Sequence, residues 1–244
     1  MTRFAIADWA AIGPMGRTRE AWRAWARGEP ADDALDAPPE PPLPQSLRRR
    51  VTPIGQMALR AAAALEPTAR TRFVFCSRHG EYERTFGLLG SLAGTDPVSP
   101  AEFSLSVHHA LAALLSIARR NGEGHIALAA GRDSFACGLL EAIATTATLP
   151  DSPVLVVYYD APLPESYATF RDADEVPLAV ALTVTAPSAG APAYEVALAP
   201  AEPPNTQAAA GRQALDFLRF LICGAQAARS PGERHVWQWR RVAA

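Results

Sequence analysis

The sequence contains no lysine, because all 23 of its basic residues are arginines. The chain therefore has no side-chain amine for lysine Schiff-base chemistry and no phosphate-binding lysine of the Walker type. It has only three cysteines, and these form no CxxC pair. Such a sparse, odd number argues against a disulfide framework or a zinc site and predicts reduced thiols in a cytoplasmic protein.

Charge and hydropathy narrow the class of protein further. The 23 basic and 25 acidic residues give a net charge of −2, so the composition provides no general attraction to nucleic acid or to anionic membranes. No apolar run approaches the roughly 18 residues of a membrane span. The five histidines lack the spacing of metal ligands. We therefore expect no metal, no cofactor, no nucleic-acid partner and no membrane span.

Apolar segments of strand length alternate with segments of helical periodicity. The continuous apolar runs at Thr71–Ser77 and Pro153–Tyr159 are typical of strands that are covered on both faces. This alternation predicts an α/β fold, with helices layered around a mixed, mostly parallel sheet. We expect one domain over residues 1–244, with a proline-rich surface loop at 28–46 and a C-terminal helix at 207–229.

The segment GHIALAAGRDSFACGLLEA, residues 124–142, predicts a strand, a sharp turn after Gly131 and a helix that begins near Ser134. Such an elbow lifts one side chain above the sheet, beside a helix N-terminus that stabilises negative charge. On these grounds Ser134 and Cys137 are candidate nucleophiles. Asp133 and Ser134 are equally suited to cap the helix, which is the commoner role of these residue types.

A serine hydrolase is one interpretation of this elbow. Ser134, Asp160 and His235 follow one another in the chain order of the α/β-hydrolase triad. However, the elbow does not have the GxSxG sequence, and Asp160 is followed by a plain Ala-Pro-Leu-Pro loop.

Three segments in order resemble the N-terminal half of a β-ketoacyl synthase. They are VSPAEFSLSVHHALAALLSIA, then the elbow segment, then SPVLVVYYDAPLPE. More narrowly, the chain is similar to the short, chain-length-factor-like ketosynthase homologues of aryl polyene and fatty acid-type pathways. The resemblance runs from about Phe4 to Thr185 and implies a thiolase-like fold.

Compared with that family, the elbow of this chain is degenerate. The elbow residues are Ser134, Phe135, Ala136, Cys137 and Gly138. Active ketosynthases place a nucleophilic cysteine three residues before the glycine that corresponds to Gly138, and here that position holds Phe135. Cys137 lies two positions later, about 200° around a helix. The two histidine motifs of active members, which resemble HGTGT and a later GH, are also missing after Asp160. The resemblance thus implies a chain without condensing activity of its own.

The resemblance also implies a partner and a substrate. Chain-length factors pair with an active, full-length β-ketoacyl synthase, and the pair acts on an acyl chain carried by an acyl carrier protein. A pathway scaffold without any role in an acyl tunnel is the alternative. In ketosynthase-like dimers, the strand before the elbow pairs with its counterpart across the dimer axis. Phe135, just past that strand, is then expected near the partner's acyl tunnel.

In this chain the matching strand is His125–Ala130, which carries no charged residue to protect a free edge. A helix predicted over Phe103–Arg119 should flank it. We expect a heterodimer with the ketosynthase and consider a homodimer for the isolated chain. A proline at Ile126 should break the pairing, provided that its N–H faces the partner. The candidate interface residues are His125, Ile126, Ala127, Leu128, Ala129, His108 and His109.

Overall fold

The computed structural model describes residues 3–30, 40, 43–94, 96–172, 175–200 and 211–243. Within these ranges the apolar runs form one sheet of eight strands. The strands are β1 (Arg3–Ile12), β2 (Arg72–Cys76), β3 (His125–Leu128), β4 (Val154–Asp160), β5 (Leu178–Thr185), β6 (Ala193–Pro200), β7 (Ala227–Pro231) and β8 (His235–Val242).

Helices connect these strands, and local signals set several of their ends. The Thr18 hydroxyl accepts a hydrogen bond from the Ala21 amide at the start of α1, and Gly28 ends this helix in the left-handed conformation. Thr52 caps α3 in the same way. The helices are α1 (Arg19–Arg27), α2 (Gln45–Arg48), α3 (Pro53–Ala63), α4 (Tyr82–Ala93), α5 (Pro100–Ser104), α6 (Ala110–Ala118), α7 (Ser134–Thr148) and α8 (Arg212–Cys223), with a 3-10 segment at Glu165–Phe170.

The sheet is mixed, with the strand order β3-β2-β4-β5-β1-β6-β8-β7. Among the described strands, β2 pairs in parallel with β3 and β4, and every other neighbouring pair is antiparallel. The prediction of an α/β fold with a mixed sheet is confirmed, but the expectation of mostly parallel pairing is wrong. Parallel pairing is confined to β2, β3 and β4, which are connected through α-helices, whereas the strands from β4 to β7 alternate in direction, with β1 inserted between β5 and β6 and β8 between β6 and β7. The order of elements along the chain does not reveal such insertions.

Two apolar cores cover the two faces of the sheet. Helices α1, α7 and α8 pack on one face, where Trp22, Phe135 and Phe217 are fully buried. Helices α3 and α6 pack on the other face with Leu59 and Leu111. All seven residues of β4 are buried between these layers. This burial confirms the prediction of a central strand that is covered on both sides.

The C-terminal helix is shorter than the predicted range of 207–229. It begins at Arg212 and ends at Cys223, because Gly224 adopts a left-handed conformation with φ of 63°. Residues 227–231 then form β7 rather than a further turn of helix. Residues 207–210 lie outside the described residues.

Two other predicted boundaries also change. Of the proline-rich loop predicted at 28–46, residues 31–39 and 41–42 lie outside the described residues, and Gln45 already begins α2. The helix predicted over Phe103–Arg119 is two helices, α5 and α6. Non-helical residues at 105–109 separate them and hold His108 and His109.

Candidate functional site

The elbow between β3 and α7 is closed by its own hydrogen bonds. Gly131 has a positive φ of 57°, which allows the chain to turn sharply. The Ser134 hydroxyl donates to the Gly131 carbonyl at 2.7 Å and accepts from the Ala130 amide at 2.9 Å. Ser134 is also buried. Its hydroxyl therefore stabilises the turn and is not presented to a substrate.

Asp133 is the residue at the N-cap position of α7, but its side chain makes no capping hydrogen bond, contrary to the expectation that Asp133 or Ser134 caps the helix. The Asp133 carboxylate instead accepts hydrogen bonds from the Trp237 indole at 3.0 Å and from the Glu233 amide at 3.2 Å. The side-chain amide of Gln213 also donates to it. Asp133 thus fastens the elbow to α8, to β8 and to the turn before β8.

Phe135 occupies the position that the ketosynthase resemblance assigns to the nucleophile. Its ring is 1% exposed and packs against Tyr158 and Phe217, at centroid distances of 5.7 Å and 5.6 Å. An apolar core within this chain therefore fills the place where a reacting group would be needed. The ring reaches no surface of this chain, and its expected place near a partner's acyl tunnel stays a prediction.

The neighbouring thiols are not activated. Burial raises the pKa of Cys137, and the nearby Asp133 carboxylate adds to this effect. Burial likewise raises the pKa of Cys76 well above its usual range. Both thiols stay protonated at neutral pH, and the protonated thiol is a poor nucleophile. Gly138 brings α7 so close to β2 that a Cβ at this position would collide with the Cys76 side chain.

The serine hydrolase triad is not assembled. Asp160 accepts hydrogen bonds from the Ser77 hydroxyl at 2.9 Å and from the amides of Arg78 and His79 at 2.8 Å and 3.0 Å. Ser134 bonds only within its own turn, as described above, and His235 is exposed at the start of β8. No hydrogen bond joins the three residues of the hypothetical triad, so the geometry does not support a hydrolase.

Sequence analysis missed an ion-pair cluster beside the elbow. Arg132 donates to the Asp172 carboxylate, with its Nε at 2.9 Å, and Arg78 donates to the same carboxylate at 2.7 Å. Arg78 also reaches Glu175 at 3.0 Å. The hydrogen bond to Asp172 raises the pKa of Arg132. The sequence did contain an indication of this cluster, because Arg78 follows the end of β2 closely and Arg132 lies in the elbow turn after β3. The cluster ties these turns to the segment before β5 and closes this end of the sheet.

The strand before the elbow forms one edge of the sheet, as the resemblance implies. The structure places His125, Ile126, Ala127 and Leu128 in β3, and Ala129 just beyond its end. Among the described strands, only β2 pairs with β3. The His109 and His125 rings are in edge-to-face contact, at a centroid distance of 4.5 Å. Burial, with His109 as a second cause, lowers the pKa of His125.

The register of β3 determines which backbone groups are open at this edge. The carbonyls of Gly124 and Leu128 accept hydrogen bonds from the amides of Phe73 and Ser77 at the β2 side. Because backbone direction alternates along a strand, Ile126 also faces β2, whereas His125 and Ala127 face outward. Ile126 is therefore the wrong position for a proline that should disturb an interface, and Ala127 is the right one.

Within the described ranges, no group of three or more His, Cys, Asp or Glu side chains could hold a metal ion. In the same part of the chain, no helix has both the length and the apolar character needed to cross a membrane.

The chain belongs to the β-ketoacyl synthase N-terminal domain family, which matches residues 22–240. No curated protein matches the sequence.

Solved structures are similar over most of the chain. One is the complex of a ketosynthase (ApeO) with its chain length factor (ApeC) from Xenorhabdus doucetiae. It matches with 28% identity and a TM-score of 0.80, covering 99% of this chain and 100% of the other. The ishigamide ketosynthase/chain length factor matches with 18% identity and a TM-score of 0.62, over 82% of this chain and 68% of the other. A β-ketoacyl synthase from Burkholderia phymatum STM815 has 17% identity and a TM-score of 0.58, over 93% and 71%. The last two likenesses show the fold, which is thiolase-like.

Proposed function

We propose that this chain is a non-catalytic, chain-length-factor-like subunit that pairs with an active β-ketoacyl synthase in polyene, fatty acid or polyketide synthesis. The observation that carries this proposal is the burial of Phe135 between Tyr158 and Phe217, at the position of the family's nucleophile. The likeness to a ketosynthase–chain length factor complex over the full length of both chains supports it.

The partner in this proposal is a full-length ketosynthase that supplies the nucleophile and its acid-base residues. An acyl carrier protein delivers the substrate to the pair, so the acyl chain is attached to the carrier and never to this subunit. The three cysteines are free thiols, which supports placing the pair in the cytoplasm.

The proposed contact is the β3 edge. The outward backbone groups of His125 and Ala127 would pair with an edge strand of the ketosynthase, and the exposed Ile126 would pack beside them. His109, in the connection before α6, contacts His125 of this strand, whereas the His108 ring packs beside Gly80. A paired edge satisfies its backbone groups across the interface and needs no charged protection.

Mass spectrometry tests the absence of catalysis. The isolated chain is incubated with an activated acyl thioester, and we expect no adduct on Ser134 or Cys137. A Phe135→Cys variant should also stay unmodified, because its thiol would be enclosed in the core. A stoichiometric adduct on the unmodified chain would overturn the proposal.

Co-expression tests the partnership. The chain is produced with candidate full-length ketosynthases, and condensation is measured with and without it. We expect a co-purifying pair whose products differ in length from those of the ketosynthase alone. Products of unchanged length from a stable pair would instead favour the scaffold role.

A further inference from the structure

A cavity lies between α3 and the turn that follows β1. Its volume is about 360 Å³, and small-molecule sites typically measure about 300–1,000 Å³. One wall is a stripe of α3, because residues at i, i+1 and i+4 lie on the same side of a helix. This stripe consists of Gln56, Met57 and Arg60. The opposite wall includes Ile12, Arg17 and Pro177, from the end of β1, the turn after it and the approach to β5.

The cavity is separate from the elbow and from the β3 edge. Met57 packs against the core on the α3 face of the sheet, whereas Phe135 belongs to the core on the other face. Three strands lie between β1 and β3, a distance of about 19 Å at the usual strand spacing of about 4.8 Å. A molecule in this cavity would therefore touch neither the packed elbow nor the strand edge that is proposed to pair with a ketosynthase.

The charge of the cavity has one sign. Among the described residues that line it, Arg17 and Arg60 are charged and none is acidic. The Met57, Ile12 and Pro177 side chains make the remaining wall largely apolar. An anion with an apolar body matches this combination, because its charge would lie beside the guanidinium groups while its body leaves water.

Arg60 already binds a carboxylate of this chain. One of its terminal nitrogens donates to the Glu40 carboxylate at 2.7 Å, and Arg48 donates to the same carboxylate at 2.5 Å. The Nε of Arg60 is enclosed and has no hydrogen-bond partner among the described residues. A guanidinium has five N–H donors and can bind a carboxylate through two of them. Arg60 therefore has the donors and the position to hold a carboxylate at the cavity.

We infer that this cavity binds a medium-chain carboxylate, with its carboxylate at Arg60 and its apolar chain against Met57, Ile12 and Pro177. Burial of the chain contributes about 25 cal/mol per Å² of apolar surface that leaves water. Glu40 pairs with the same guanidinium, so it competes with the carboxylate of the ligand. The binding is independent of the proposed pairing with a ketosynthase.

Nuclear magnetic resonance on the full chain, with ¹³C-labelled methionine methyl groups, tests this inference. Octanoate is the ligand used. We expect a saturable shift of the Met57 methyl signal, whereas Met15, which packs against the opposite core, is the internal reference. Octanol has the chain without the charge and acetate has the charge without the chain, so both should bind at least about 10-fold more weakly. Equal affinity for octanol or for acetate would overturn the inference.

Substitutions at the two paired charges should act in opposite directions. Arg60→Gln removes the guanidinium and should raise the Kd for octanoate at least about 10-fold. Glu40→Gln removes the competing carboxylate and should lower the Kd about 3-fold. Arg49→Gln is the matched control, because Arg49 is exposed and does not line the cavity. An Arg49 variant that loses as much affinity as the Arg60 variant would show unspecific charge attraction and overturn the inference.

A further variant covers the case in which Arg60→Gln folds poorly by circular dichroism. Met57→Trp fills the cavity with a larger side chain while Arg60 stays in place, and it should abolish octanoate binding in isothermal titration calorimetry. Unchanged binding by this variant would place the ligand elsewhere and contradict the inference. The unmodified chain might also show no saturable shift at octanoate concentrations up to about 10 mM. In that event the inference fails, and the proposed function is still decided by co-expression with ketosynthases.

Discussion

The elbow and the β3 edge adjoin in sequence but differ in how their groups are satisfied. At the elbow, the Ser134 hydroxyl, the Asp133 carboxylate and the Phe135 ring all find partners inside the chain. At the edge, outward backbone groups of β3 and the exposed Ile126 have no described neighbour beyond the sheet. The elbow, which lies where the family has its catalytic centre, is thus part of the packed interior of this chain. The backbone groups at the β3 edge, in contrast, are left unpaired among the described residues and can accept another strand.

The largest expected effect is on stability, and it comes from a substitution in the packed elbow that should leave association unchanged. Phe135→Ala should lower the free energy of unfolding by about 3–5 kcal/mol, because it leaves a cavity between Tyr158 and Phe217. Urea denaturation measures this loss. Affinity for the ketosynthase should stay unchanged under conditions where the variant is folded. A variant that keeps its stability but binds the ketosynthase weakly would show that Phe135 contributes to association rather than to packing.

The second prediction has the opposite pattern. Ala127→Pro removes an outward N–H at the β3 edge and should raise the Kd for the ketosynthase about 100-fold. The free energy of unfolding should barely change, because β2 does not use that N–H. Ala127→Thr keeps the donor and is the control. Light scattering on mixtures of the two subunits measures complex formation, and equal affinity of both variants would exclude strand pairing.

A smaller effect is expected where the elbow is fastened to the C-terminal strands. Asp133→Ala leaves the Trp237 indole and the Gln213 amide without their acceptor, which should cost about 1–3 kcal/mol of stability. Thermal unfolding followed by tryptophan fluorescence is the measurement. Asp133→Asn, which keeps one acceptor oxygen, should recover part of the loss. An alanine variant as stable as the unmodified chain would show that the hydrogen bonds of Asp133 contribute little to the free energy of unfolding.

The smallest effect concerns pH and Glu81, the residue just before α4. Burial raises the pKa of Glu81, so the folded chain holds this proton more tightly than the unfolded chain. The resulting stabilisation is present below the ordinary carboxyl pKa of about 4.3 and is lost as pH rises through the raised value. Burial raises the pKa of Asp160 and Asp216 in the same direction. Glu81→Gln should therefore make the free energy of unfolding fall less steeply as pH rises above the ordinary carboxyl pKa of about 4.3. An identical slope in urea titrations would contradict the assignment.

Much of the fold follows from local patterns in the sequence. The apolar runs that became β2 and β4 were predicted almost to the residue, because the continuous apolar pattern of a strand buried on both faces is visible in a single segment. The degenerate elbow was also visible once Gly138 was matched to the family pattern.

The errors arise where distant contacts decide the structure. Residues 227–229 were predicted to end the C-terminal helix but belong to β7, which pairs with β8, and no local signal reports this pairing. Asp133 has the chemistry of a helix cap, yet its carboxylate is engaged by Gln213 and Trp237 from the C-terminal elements. Arg84 likewise forms an ion pair with Glu102 of α5 and donates a hydrogen bond to the Arg50 carbonyl before α3, so its burial could not be predicted from the apolar pattern of α4 alone.

Because the backbone groups of β3 alternate in direction, amide hydrogen exchange along this strand reports whether a partner pairs with its open edge. In the isolated chain, the outward amides of His125 and Ala127 are open to solvent and should exchange quickly with deuterium. The amides of Ile126 and Leu128 face β2 and should be protected whether or not a partner is present. A ketosynthase that pairs with this strand would therefore slow exchange of the outward amides, at every second residue. One that docks elsewhere would leave the alternation of fast and slow exchange along the strand unchanged.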